Sequence, residues 1–151
     1  MEISDLYILS LTDDNNHQVV EIGLIDLELA EKIFQHTGVD LEGYAITIDN
    51  YGIKHTLKRH GDSDKEALHG QIEVKLEDFE LIPLILREAD NIHLSARQKS
   101  KNSPVTETLI FEKEVQNYYY VLKEIKAVTK KGKIKRLVFQ TMYITKKRRT
   151  F

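Results

Sequence analysis

The last sixty residues do most to narrow what this chain can fold into. From Ile92 onward four strand-like runs follow one another: IHLSA (92–96), ETLIF (107–111), YYYVLKEIKAV (118–128) and KRLVFQTMYIT (135–145). They are rich in β-branched and aromatic residues. The spacers KSKNSPV, EKEVQN and TKKGK supply turn-forming Asn, Ser, Pro and Gly. Strands joined by short polar turns pair most simply with their neighbours in sequence, so this part predicts an antiparallel meander.

Ahead of it the periodicity changes. LYILSL (6–11) and VVEIGLI (19–25) alternate on either side of Asp13-Asp14-Asn15-Asn16 and predict a β-hairpin. Asp26 can then cap a helix with Leu29, Ile33 and Phe34 on one face, stopped by Gly38. YAITID (44–49) reads as a short strand, and Asp49 or Asn50 can cap a helix carrying YGIKHTLKRHG (51–61). Residues 62–76 read as polar loop. A further helix is expected from near Glu77, with Phe79, Ile82, Ile85 and Leu86 on one face and Pro83 tolerated in its first turn. The expected fold is α+β: N-terminal helices packed on a curved antiparallel β-sheet of about four strands, with an extra N-terminal β-hairpin. At 151 residues the chain suits one compact unit.

The sequence has no cysteine, which excludes disulfides, thiolate nucleophiles and Cys-based metal or cluster sites. No stretch approaches the ~18 apolar residues of a membrane span, and MEISDLYILSL lacks a basic n-region, so neither a signal peptide nor a membrane partner is expected and the location read is cytoplasmic. Charge is uneven. From Lys113 on, 12 basic residues face two acidic ones, and with chain totals of 22 and 24, residues 1–112 hold 10 basic against 22 acidic. A basic half beside an acidic one suits a polyanionic partner, although a basic run can also be a merely solvated surface.

The helix at 51–61 holds the chemistry in question. Its 100° advance puts Ile53, Leu57 and His60 on one stripe with Thr56 beside it, so His60 turns toward the sheet while His55 turns toward solvent. His60 can be a satisfied core histidine or a catalyst. The two rings are five residues apart and do not share a face as an i, i+4 metal pair does; HExxH is absent, and no metal or cofactor site is expected. Phosphate loops and the GxSxG elbow are absent too. Metal-free cleavage of RNA needs a base for the 2′-OH, an acid for the leaving 5′-oxygen and cations for the phosphorane, and His, Lys and Arg meet those needs near neutral pH. Thr141 and Tyr143 lie two apart on the last strand, where simple alternation puts them on one face with Leu137 and Phe139; they also read as ordinary β-formers. Tyr118-Tyr119-Tyr120 could stack on bases or pack in a strand.

The order of VDLEGYAITIDNYGIKHTLKRHGD, HGQIEVKLEDFELIPLILREADNI and the strands ending VFQTMYITKK resembles the phage Barnase/EndoU/Colicin/RelE-like nuclease family. The features are Leu-x-Gly-Tyr at 41–44, His-x4-His-Gly at 55–61, Gly70-Gln71, Ile82-Pro83 and Thr141-Met142-Tyr143, covering roughly residues 39–147. This resemblance implies an RNase-like domain at 39–151 with residues 1–38 as a hairpin-and-helix extension. It also implies metal-free transesterification of RNA to a 2′,3′-cyclic phosphate by a protein of phage or mobile-element origin, a toxin among the roles. Carried onto this sequence, His60, His55, Thr141 and Tyr143 are the catalytic expectations, with Glu124 as fallback general base. Arg97, Lys113 and Lys123 are the expected phosphate ligands, and Lys58 and Arg59 phosphate-attracting surroundings. Expected partners are RNA, with tRNA one substrate to consider, and an inhibitor or immunity protein. The rival readings are a non-catalytic binding module for nucleic acid or acidic protein, and a structural protein of a phage particle.

Overall fold

The structure, a computed structural model, describes residues 1–13, 16–95, 98–100, 103–128 and 134–146. The elements are α1 (Ile3–Ser10), β1 (Val19–Leu24), α2 (Leu27–Thr37), β2 (Ala45–Asp49), α3 (Asn50–His60), α4 (Ser63–Leu68), β3 (Gln71–Ile72), α5 (Leu76–Glu80), α6 (Ile82–Glu88), β4 (Asn91–Leu94), β5 (Gln98–Ser100), β6 (Ser103–Thr106), β7 (Thr108–Val115), β8 (Tyr118–Val128) and β9 (Lys135–Thr145). None of these helices is long and apolar enough to cross a membrane.

Seven strands form the main sheet, in the order β1-β2-β9-β8-β7-β4 with β3 also on β9, so the expected four-strand count is too small. The meander itself is present: β4, β7, β8 and β9 pair antiparallel in turn. Gln116 and Asn117 join β7 to β8 with φ of 49° and 70°, the two positive values that a tight hairpin turn requires. What local pattern missed is long-range pairing. β2 joins β9 in parallel, and β1 joins β2 antiparallel.

The N-terminal hairpin is overturned. Residues 6–10 belong to α1, which buries Leu6 and Ser10 on one helical face and leaves Ile8 and Leu11 63% exposed. Strand alternation would have put Leu6 and Ile8 on the same side. Packing decides for the helix, because Leu6 is fully buried and Tyr7 lies against Phe79, ring centres 6.1 Å apart. β1 therefore finds its partner in β2 rather than in the first residues. The expected loop at 62–76 also holds a helix, α4, whose first turn is capped by the Asp62 carboxylate accepting from the Asp64 and Lys65 N–H groups. The helix expected from Glu77 is divided at Leu81 into α5 and α6, with Pro83 in the first turn of α6. Phe79, Ile82, Ile85 and Leu86 are all buried as the periodicity requires.

The core lies between the helices and one face of the sheet. Directly opposed residues of antiparallel strands share a face. Tyr120, Leu122 and Glu124 of β8 therefore share theirs with Ile144, Met142 and Phe139 of β9, and with Lys113, Phe111 and Leu109 of β7. Between Lys123↔Thr141 and Glu124↔Phe139 the register slips by one, leaving Gln140 as a β-bulge. The bulge corrects the simple alternation: Thr141 and Tyr143 stand with Lys123 and Val121 on the face opposite Phe139.

Candidate functional site

β2 pairs with β9 only at Arg136–Val138 and β3 only at Ile144–Thr145. The stretch between is met by α3, and three contacts one helical turn apart run along it. A Cβ at Gly52 would lie 2.9 Å from both the Phe139 ring and its carbonyl oxygen, which is why this close approach needs glycine. Thr56 is fully buried; its hydroxyl donates to the Gly52 carbonyl at 2.8 Å and its Oγ1 lies 3.4 Å from Thr141 Oγ1. The His60 ring tilts 37° against Tyr143, centroids 5.7 Å apart. One helical turn rises 5.4 Å and two strand residues about 6.6 Å, so a helix aligned along a strand keeps these pairs in step.

The buried Glu66 of α4 closes the site from the other side. Its two carboxylate oxygens lie 3.1 and 3.2 Å from His60 Nδ1, so Nδ1–H donates to a carboxylate and Nε2 is left to act. The backbone is fixed as well, with the Val74 N–H donating to the His60 carbonyl at 2.8 Å. A histidine oriented through one ring nitrogen by a buried carboxylate is the arrangement that general acid–base catalysis needs.

The expected residues divide. His60, Thr141 and Tyr143 come together, and Lys123 stands directly across from Thr141 on the same sheet face. His55 is exposed on the other side of α3. Burial of its imidazole, then the charges of Arg59, His60 and Lys58, hold its pKa below the ordinary histidine value. Lys58 and Arg59 are exposed with it, and Lys113 stands opposite Tyr120 on the other sheet face. Glu124 is fully buried on that same face with neither carboxylate oxygen hydrogen-bonded, and burial holds its pKa well above the ordinary range. Arg97 lies outside the described residues. Of the tyrosine run, Tyr120 is buried and donates its hydroxyl to Asp78 at 2.8 Å, whereas Tyr118 is 41% exposed. Among the described residues no cluster of His, Asp and Glu is arranged to hold a metal ion.

Residues 24–151 match the family model described as phage-Barnase-EndoU-ColicinE5/D-RelE like nuclease3. The chain belongs to that family. Comparison with curated proteins gives no match, and comparison with solved structures gives none. The match in this nuclease begins within β1 and includes His60, Glu66, Thr56, Thr141, Tyr143 and Lys123.

Glu66 and Thr56 escaped sequence reading. Thr56 was visible beside the inward stripe, yet its partner Thr141 is 85 residues away. Glu66 lies six residues from His60, beyond a helix break at Gly61, where no helical periodicity relates the two. The only local signal was the Asp62 cap in DSDKEAL, which predicts a short helix but not its direction.

Proposed function

We propose that this nuclease is a metal-independent endoribonuclease. The His60–Glu66 pair set against Tyr143, Thr141 and Lys123 is the observation that supports this reading. Neutral His60 takes the 2′-OH proton as the 2′-oxygen attacks phosphorus, and Glu66 balances the charge gained by the ring. The new P–O2′ bond forms as P–O5′ breaks, and Tyr143, beside the imidazole, donates to the departing 5′-oxygen. Lys123 and the Thr141 hydroxyl face the phosphorane oxygens, where a cation and a fixed donor are worth most. The products are a 2′,3′-cyclic phosphate and a 5′-hydroxyl end. A family described as phage nuclease-like favours a mobile-element origin for this chain, and a free toxin with a dedicated inhibitor is one role consistent with such an origin.

The test is incubation of the purified protein with total RNA in EDTA. Cleavage leaving cyclic phosphate ends, lowered ~10²- to 10⁴-fold by His60→Ala, is the expected result. Salt-sensitive RNA binding with no cleavage, and no effect of His60→Ala, would instead establish a binding module.

A further inference from the structure

The side of α3 turned away from the sheet has its own organisation. Tyr51, Lys54, His55, Lys58 and Arg59 are all exposed, and no carboxylate interrupts them on the helix. Tyr51, His55 and Arg59 form one row at i, i+4 and i+8. They lie 100° from the inward row Gly52, Thr56 and His60, since each precedes its counterpart by one residue. A strand following the outer row therefore runs beside the catalytic histidine.

At the start of this row is a rigid aromatic platform. The His17 ring stacks on Tyr51 with centroids 4.7 Å apart and planes 9° from parallel, and the two remain 45% exposed. His17 is held in place from three directions. Its Nε2 lies 2.9 Å from an Asp49 carboxylate oxygen, while the other Asp49 oxygen accepts the Gly52 N–H at 2.7 Å and caps α3. The buried Asn50 fixes both flanking residues: its Nδ2 donates to the Asn16 carbonyl at 3.0 Å, and its Oδ1 accepts the Gln18 N–H at 2.8 Å. The Asp49 carboxylate is thus engaged by the His17 ring and by the helix N-terminus, and Lys54, Lys58 and Arg59 are the cations this face presents.

We propose that the His17–Tyr51 stack and the outer row of α3 form a binding track for single-stranded RNA, with one nucleobase stacked on the platform and phosphates held by Lys58 and Arg59. Two exposed, pre-ordered rings beside unopposed cations are what sequence-tolerant single-strand binding uses, because every base has a π-face and every linkage a charge. The track gives His55 a place among substrate-facing groups outside the His60–Glu66 site. The inference rests on the ribonuclease reading and names how that site takes its substrate.

The test is fluorescence anisotropy with a labelled 2′-O-methyl oligonucleotide, which cannot be cleaved because its attacking oxygen is blocked. Tyr51→Ala should weaken single-strand binding roughly ten-fold or more, and Tyr51→Phe should stay within about two-fold of the native protein. The slope of log affinity against log salt should be unchanged by Tyr51→Ala and fall by about 0.7 with Arg59→Ala. Duplex binding should not respond to Tyr51→Ala, since paired bases cannot reach the ring. Thermal melts confirm that each variant is folded, and His17→Ala, which removes only the supporting ring, provides a second route to the same loss. If Tyr51→Ala binds single strands as the native protein does, or weakens duplex and single strand alike, the track is overturned while RNA cleavage by the native protein keeps the nuclease reading. If the native protein neither binds nor cleaves RNA, both are overturned.

Discussion

Replacing Glu124 by Leu should stabilise this protein, and by more as pH rises. Glu124 is fully buried between Leu109 and Phe139 of the flanking strands, and neither carboxylate oxygen has a hydrogen-bond partner. Burial disfavours its charged form and raises its pKa. The sign follows directly. A group whose pKa is raised on folding contributes its full stability below its unfolded value, near 4.5, and that contribution is lost as pH climbs toward the folded value. Ionising the buried carboxyl is disfavoured, so the cost of burying Glu124 grows as pH rises above 4.5, by at most about 1.36 kcal/mol per pH unit. A buried unpartnered polar group costs about 1–3 kcal/mol in addition, independent of pH. Leu is close to Glu in volume and suits an apolar surround, so Glu124→Leu should gain about 1–3 kcal/mol at pH 4.5 and progressively more as pH rises above it. Urea melts of both proteins at several pH values measure the difference, in which the other titrating groups cancel. A difference that is negative, or that does not grow with pH, would refute the reasoning. Cleavage assays on the same variant address the fallback role of Glu124, because a stabilised Glu124→Leu that no longer cut RNA would make this carboxyl the base.

Gly52→Ala should cost about 1–3 kcal/mol in a thermal or urea melt, because the new methyl meets the Phe139 ring and carbonyl at 2.9 Å. Asn50→Ala should cost about 2 kcal/mol and speed amide exchange at Gln18, whose N–H loses its acceptor. In an NMR titration His55 should titrate below 6.5, and Arg59→Ala should move it only part of the way back, since burial outweighs the arginine as the cause. Glu66→Ala, which removes the acceptor at Nδ1, should lower kcat with little change in KM while His60 ring ¹⁵N shifts report a change in tautomer balance; an unchanged balance would mean that Glu66 does not orient the ring.

The meander was legible because each strand and turn carries its own local pattern, and β8 and β9 occupy residues 118–128 and 135–145 as read. What was not legible depended on distant partners. LYILSL satisfies strand alternation, yet it packs on α3 and, through Tyr7, on Phe79, some seventy residues away. β2 reads as a strand but says nothing of pairing in parallel with β9. The bulge at Gln140 has no glycine to announce it, and it reverses which face Thr141 and Tyr143 occupy relative to Phe139. For the site, the wheel over 51–61 distinguished an inward His60 from an outward His55, because burial of α3 follows its own apolar stripe. The partner carboxylate was hidden, since it reaches His60 around a chain reversal rather than along a helix.

The bulge and the helix explain each other. Beyond Val138, β9 loses β2 as a partner and regains one only at Ile144, so without α3 the intervening backbone would be an open sheet edge. A helix against that edge meets side chains from both sheet faces, and the bulge is what makes them different: Phe139 on the core side meets Gly52, while Thr141 and Tyr143 on the other side meet Thr56 and His60. With an unbroken register Thr141 would share the apolar face of Phe139, and its hydroxyl would be buried among hydrocarbon. Deleting Gln140 should therefore repair the ladder with Thr141 and Tyr143 still opposite Lys123 and Val121, but draw them one residue, roughly 3 Å, along the strand and out of step with Thr56 and His60, with loss of RNA cleavage and reduced stability. A deletion variant that retained both would show that the site does not depend on the bulge.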